Sequence, residues 1–491
     1  MSTPLPAGVL MATPLTAAPS FLDRSAVIGG THDWTWRQVH AASVTLSREL
    51  RRQLRPTATI CNLCSSRIGF LVASLAAWRS QCEQLLPPSA GNAELQATLR
   101  SCVDPIVLFD DPQELQRHAL GGARSVVHVP ELPTQPIADA GLAWSPEWEK
   151  TLVRLFTSGS TGTPEPHAKT LAQLAQGARA LASRLEQDID GGLAAARQII
   201  CSVPPQHMFG LETSVMLPLV FGIPVVERRP LLPADVTAAF QRWSAAAWIA
   251  TPVHLRALVE SAEVLRGCRV VIASTMPLAP TLASQAERLL AAPILEIYGS
   301  TETGALAMRR TAQTTDWRPL AGVRFEPAAH GTVVRGPHFT SPQTLADQTE
   351  SDGRGGVRLL GRHADLIKIA GRRASLANLN LLLQDLPGLA DGVFYLAPIA
   401  AIGAATSAAT SVATSAAPTE RLVLIYAGAR LDRAAAIAWL RQRIDPVFLP
   451  RALIHVERLP RTESGKLPRA ALDAVFAAWR DARKRSTKSG Q

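Results

Sequence analysis

The apolar run 152–156 stops abruptly in Thr157-Ser158-Gly159-Ser160-Thr161-Gly162-Thr163-Pro164. A short apolar stretch bounded in this way reads as a buried strand feeding a tight loop. Gly159 and Gly162 let the backbone turn sharply and come close to a ligand. The hydroxyls of Thr157, Ser158, Ser160 and Thr161, with the loop amides, can converge on an anion. This is phosphate-cradle chemistry without the Gly-Lys-Ser/Thr ending of a Walker A loop. Upstream, strand signals at 26–28, 34–36, 57–63 and 107–109 alternate with helix signals at 37–55 and 65–80, which predicts an α/β fold with a parallel sheet.

A chain of 491 residues, 47% hydrophobic and 18% charged, is long enough for two or three domains and too apolar for a disordered chain. The net charge of +10 comes from scattered arginines. The one local basic cluster is Arg483, Lys484, Arg485 and Lys488, and no aromatic residues interleave it, which argues against a nucleic-acid partner. Phosphate-bearing ligands and an acidic carrier suit such a field. Arginine usage in place of lysine explains much of it as well.

The six cysteines (Cys61, Cys64, Cys82, Cys102, Cys201, Cys268) are spread through the first half or so of the chain. Cys61 and Cys64 have ligand spacing, but no second Cys or His pair stands at a partner distance, so they read as core thiols of a reducing cytoplasm. The first twenty residues carry no basic side chain ahead of an apolar stretch, so no signal peptide is expected. No segment has the unbroken apolar length of a membrane span.

Three further stretches follow in order: Ile297-Tyr298-Gly299-Ser300-Thr301-Glu302-Thr303-Gly304, the segment from Gly361-Arg362 through Lys368 to Gly371, and Leu459-Pro460-Arg461-Thr462-Glu463-Ser464-Gly465-Lys466. Tyr298 can stack on a purine, Thr301 can donate to a phosphate, and Glu302 offers a hard oxygen to Mg²⁺. Taken singly, each is also an ordinary turn, and Glu302 alone an exposed carboxylate. In this order and spacing, over residues 20–480, the four motifs resemble the adenylate-forming superfamily. Its members include acyl- and aryl-CoA synthetases, acid-AMP ligases and peptide-synthetase adenylation domains.

That resemblance implies a large N-terminal domain of parallel and mixed sheets with flanking helices (21–361) and a small α+β lid (362–480). The lid would carry an Ala/Ser/Thr-rich insertion at 400–418, between a disordered 1–20 and a basic 481–491 tail. It implies attack of a carboxylate on the α-phosphorus of ATP and transfer of the acyl group from the adenylate to a thiol. Lys466 would meet both the carboxylate and the α-phosphate, with Thr301 on the α-phosphate and Glu302, assisted by Thr161, on Mg²⁺. Thr157, Ser158, Gly159, Ser160, Thr161 and Gly162 would hold the phosphates. Tyr298 would stack on the adenine, Gly299 and Ser300 would belong to the same cofactor-binding stretch, and Asp347 and Arg362 would contact the ribose.

The chain also departs from the family pattern. Glu165 stands where the loop lysine is usual, so Lys169 is expected to replace it, as in small ligases of pigment and polyketide pathways. Ser274-Thr275 occupies a usual Gly-Gly and marks the acid pocket together with His207, which fits either a pocket wall or a loop-packing imidazole. No Gly-Gly-x-Ser carrier motif follows Arg469, so the acceptor is CoA or the phosphopantetheine of a separate acyl carrier protein. An aryl acid and a medium fatty acid both remain open as substrate. The departures leave a second reading, a degenerate homologue that binds nucleotide or acyl groups without turnover.

Overall fold

A computed structural model describes residues 13–16, 18–55, 58–87, 92–116, 120, 123–129, 142, 144, 146–158, 164–328, 331–362, 366–369, 372–383, 385–398, 420–461 and 467–488. The chain forms two compact units. The larger holds 1–326, 333–344 and 351–358, and the smaller 327–332, 345–350 and 359–491.

In the larger unit, β1 (Ser25–Ile28) and β2 (Trp34–Thr35) precede the helix Trp36–Gln53. That helix starts where it does because Thr35 accepts from the Gln38 amide while the Gln38 side chain accepts from the Thr35 amide, a reciprocal cap. Its buried face includes Trp36, Val39, Leu46 and Leu50. Next come β3 (Thr59–Asn62), β4 (Glu83–Leu86), β5 (Pro105–Phe109), β6 (Ser125–His128), β7 (Leu152–Ser158) and β8 (Pro164–Thr170). They form one sheet in the order β6-β5-β3-β4-β7-β8, parallel except for β8, which runs antiparallel to β7.

Strand β8 was not among the strand signals read from the sequence. Pro164 and Pro166 break the strand signal, yet Pro166 sits opposite Phe156. The strand survives because it lies at the sheet edge, where a missing N–H costs no ladder bond. The Gly-rich segment therefore joins two antiparallel strands. The helix Leu171–Asp188 begins only after β8, capped by Thr170 and Gln173.

A second sheet contains β9 (Gln198–Cys201), β10 (Val225–Val226), β11 (Ala246–Ala250), β12 (Cys268–Ala273), β13 (Ile294–Ser300), β14 (Gly304–Arg310) and β15 (Arg318–Pro319). Its order is β15-β14-β13-β12-β11-β9-β10-β1-β2. The central strands are parallel, and β2, β14 and β15 at its two ends run antiparallel to their neighbours. All five residues of β11 are buried, as the near-continuous apolar run requires for a strand covered on both faces. The architecture is the mixed α/β fold expected. Cys61 lies in β3 within a cluster of Leu85, Leu95 and Val107, and burial pushes the Cys61 and Cys64 thiols up.

The smaller unit contains β16 (Asp391–Pro398), β17 (Glu420–Ala427) and β18 (Leu453–Val456), which form one sheet in that order. Alternate residues go to opposite faces. Phe394, Leu422, Leu424 and Tyr426 pack with Leu440 of the helix Arg433–Arg441. Val393, Tyr395, Val423 and Ile425 pack with Leu472 and Phe476 of the helix Arg469–Lys488. That last helix runs to Lys488 and so takes in most of the basic 481–491 tail. Residues 1–12, the insertion 400–418 and positions 364–365 lie outside the described residues. Among the described residues, no helix is long and apolar enough to cross a membrane.

Candidate active site

The first motif closes the β7–β8 hairpin, with Thr157 opposite Glu165 and Ser158 opposite Pro164. Thr157 and Ser158 are placed as the last two residues of β7. Gly159, Ser160, Thr161 and Gly162 lie outside the described residues.

The second motif is a tight connection between β13 and β14 in which Ser300 pairs with Gly304 across residues 301–303. The turn is braced internally. The Thr303 hydroxyl accepts from the Ser300 amide at 3.3 Å and donates to the Gly304 carbonyl at 2.8 Å. Gly304 has φ +73°, a left-handed conformation that favours glycine. Tyr298, just before the turn, has its ring 5.5 Å from Trp317 and 6.4 Å from Phe325, nearly parallel to the latter. An aromatic wall of this kind can flank a planar base.

The Glu302 side chain is 42% exposed, with Oε1 at 3.6 Å from Nε2 of His167. Partial burial works against its ionisation. The Ser300 hydroxyl, its own amide, His167 and the Lys169 cation outweigh that, and the carboxyl is held below its ordinary value.

Lys169 is 4% exposed, and its Nζ donates to the backbone carbonyl of Glu302. Its ammonium is engaged on that carbonyl. Burial lowers its pKa, while Glu212 and Glu302 oppose the shift.

Glu212 and His338 escaped the sequence reading. Glu212 opens a π-helical segment, Glu212–Met216, a rare geometry that recurs at functional sites. It is 3% exposed, and its Oε1 accepts the Ala305 amide at 3.1 Å. Burial pushes its pKa up to about 7, against the pull of that amide and of Lys169. His338 is 2% exposed. Burial, and secondarily Lys169, push it down to about 4, although the Ala305 backbone lies near enough to favour the cation slightly. Neither ring nitrogen has a partner in hydrogen-bonding geometry. One signal was available: Glu212 is the only charged residue between His207 and Glu227, in an otherwise apolar stretch.

His207 caps the N-terminus of the short helix Met208–Leu211 through its backbone, and its side chain is half-buried. The Ser274 hydroxyl donates to the Ile297 carbonyl at 3.1 Å, tying the turn after β12 to β13. Thr275 has φ +84°, the conformation that a glycine would hold without strain.

The ribose candidates belong to the smaller unit. Asp347 begins the strand Asp347–Ser351, and Arg362 ends its partner Val357–Arg362. Lys466 lies outside the described residues.

The sequence profile of the AMP-binding enzyme family matches residues 16–330, more than half of the chain. Among curated proteins, the chain is 28% identical to 4-coumarate–CoA ligase of Halorhodospira halophila over 324 residues, covering 63% of this chain and 73% of that protein. It is 24% identical to enterobactin synthase component F of Shigella flexneri over 95% of this chain, spanning only 40% of that longer protein. Among solved structures, it resembles o-succinylbenzoate CoA synthetase of Bacillus subtilis in complex with its acyl-adenylate, with TM-score 0.72 at 18% identity, covering 96% of this chain and 98% of that one. The same synthetase with ATP and magnesium gives TM-score 0.73 at 18% identity, covering 94% and 99%. The chain belongs to the AMP-binding enzyme family, as an adenylate-forming, CoA-ligase-like enzyme.

Proposed function

We propose that this enzyme activates an aryl or acyl carboxylic acid with Mg²⁺·ATP and passes the acyl group to a thiol, that of CoA or of a carrier protein's phosphopantetheine. The observation that carries the reading is the Glu302 turn, an ionised and partly exposed carboxylate at the tip of the β13–β14 hairpin. The residues fit a magnesium ion. Glu302 offers one ionised carboxylate, and Mg²⁺ is typically held by one or two carboxylates plus substrate phosphates. Glu302, assisted by Thr161, would hold the ion, which would supply charge neutralisation at the phosphates.

In this reading, a carboxylate oxygen of the acid attacks the α-phosphorus, the bond to the bridging oxygen breaks, and pyrophosphate leaves. The thiolate then attacks the acyl carbonyl carbon, and AMP leaves. Two anions must meet in the first step, so catalysis consists mainly of positioning and charge neutralisation. The 157–162 loop holds the terminal phosphates and Thr301 the α-phosphate. Tyr298 stacks on the adenine, Gly299 and Ser300 line the same cofactor-binding turn, and Asp347 and Arg362 hold the ribose. Lys466 brings its ammonium to both reacting anions, and His207 and Ser274 border the acid. Lys466 belongs to the lid, 362–480, which moves between the two half-reactions. Six cysteines without a disulfide suit a cytoplasmic setting.

Acid-dependent ATP–pyrophosphate exchange across aryl and fatty acids tests the proposal, with Lys466→Ala as control. Exchange confined to one acid class and abolished in the variant is expected. No exchange with any acid, despite Mg²⁺·ATP binding, would favour the non-catalytic homologue. Adding CoA or an acyl carrier protein then separates the two acceptors.

A further inference from the structure

We propose that Lys169 and Glu212 are positioning residues for Glu302: two buried side chains that grip the backbone on both sides of the Thr303–Gly304 turn and so set how Glu302 presents its carboxylate. The proposal rests on the adenylation reading, in which Glu302 serves the metal–nucleotide complex.

Two distant parts of the chain reach the same turn. Lys169, from edge strand β8, donates to the Glu302 carbonyl. Glu212, from the π-helical segment, accepts from the Ala305 amide at 3.1 Å. Both side chains are almost wholly buried, and each charge favours the ionised form of the other. Glu212 also fits closely under the turn. A Cβ placed on Gly304 would stand 2.6 Å from its Oε1, so the carboxylate occupies the space that a larger residue at 304 would need. On β8, residues two apart share a face, so His167 and Lys169 approach the Glu302 segment together, the first at the carboxylate and the second at the carbonyl.

The residue types fit this task. Lys169 is one of only six lysines in the chain. A compact ammonium can donate to a single buried carbonyl where a planar guanidinium, with five donors to satisfy, could not. Glu212 holds the far end of the turn through the Ala305 amide, so each end of the turn has its own buried partner. The pair thus acts on Glu302 through the backbone, as a second layer behind a metal-binding side chain.

The test is calorimetric titration of the full chain with ATP, in Mg²⁺ and in EDTA, alongside pyrophosphate exchange. The variants are Lys169→Met, Glu212→Leu, Glu212→Gln and Glu302→Gln, each checked for folding by near-UV circular dichroism. Outer-layer partners of metal sites typically govern about 10- to 100-fold in affinity. Lys169→Met and Glu212→Leu are therefore expected to weaken ATP binding in Mg²⁺ by about 10-fold or more, leaving binding in EDTA and the KM for the acid unchanged. Folded variants with wild-type binding in Mg²⁺, beside an impaired Glu302→Gln, would overturn the positioning role. Wild-type binding in Glu302→Gln would instead overturn the assignment of Glu302 itself. If the first two variants do not fold, Glu212→Gln decides, because it keeps an acceptor for Ala305 but loses the charge facing Lys169. At least a threefold weakening supports the pair, and no change overturns it.

Discussion

Gly299 faces Gly304 across the β13–β14 hairpin so closely that a Cβ on Gly299 would collide with the Gly304 carbonyl oxygen. The obstacle is backbone, which cannot rotate aside like a side chain. Gly299→Ala is therefore expected to force the hairpin apart, at about 2–3 kcal/mol, near the upper end of overpacking penalties. A lower urea midpoint, together with weakened ATP binding in Mg²⁺, checks this. An unchanged midpoint would mean that the turn is more pliant than its packing indicates.

The same hairpin is anchored at its base by Glu296 and Arg309. Glu296 is 3% exposed and accepts from Arg309 Nε at 2.8 Å, the Thr311 hydroxyl at 2.6 Å and the Leu278 amide at 3.0 Å. Arg309 also lies over the Trp317 ring at 4.2 Å. Arg309→Met strands a buried carboxylate and is expected to cost about 3–5 kcal/mol. Adding Glu296→Gln should restore part of it, a coupling that a double-mutant cycle in urea would read.

Glu212 and His338 should give stability opposite pH slopes. The folded-state pKa of Glu212 is raised to about 7 from 4.5. The folded state therefore binds the proton more tightly, and this contribution is lost as pH rises from 4.5 through 7. The folded-state pKa of His338 is lowered to about 4 from 6.5. Its contribution is complete above 6.5 and lost as pH falls toward 4. The two offset each other between pH 4.5 and 6.5. Relative to wild type, Glu212→Gln should uncover a loss of stability on acidification, and His338→Phe a loss on alkalinisation. Each slope should span about 1–3 kcal/mol, given roughly 1.4 kcal/mol per pKa unit. Urea midpoints across this pH range would show it, and parallel profiles for both variants would sink the assignment.

Thr275 holds φ +84° with a β-branched side chain, a combination that stores on the order of 1–2 kcal/mol. Thr275→Gly should release part of this and raise the melting temperature, even though glycine adds entropy to the unfolded chain. A lowered melting temperature would show that Thr275 makes compensating contacts. Because Ser274 ties the turn to Ile297, the variant should also alter the range of acids accepted in pyrophosphate exchange.

Much of the architecture follows from local pattern. The strand signals at 57–63 and 107–109 become the buried parallel strands β3 and β5, and the helix signal at 37–55 becomes the helix 36–53, capped by Thr35 and Gln38. Strand β8 was hidden because Pro164 and Pro166 argue against a strand unless it lies at an edge, and sheet order is not a local property.

By itself the sequence determined the fold class, the order of the motifs and the candidate residues within them, because periodicity, caps and turn residues act over a few positions. Tertiary structure alone decided that Lys169 meets the Glu302 carbonyl across 133 residues and that Glu212 meets the Ala305 amide across 93. A lysine in a strand and a glutamate in an apolar helix carry no local sign of their partners. Only the packing of β8 and the π-helical segment against one turn brings these two side chains to its opposite ends, an arrangement that no sequence pattern records.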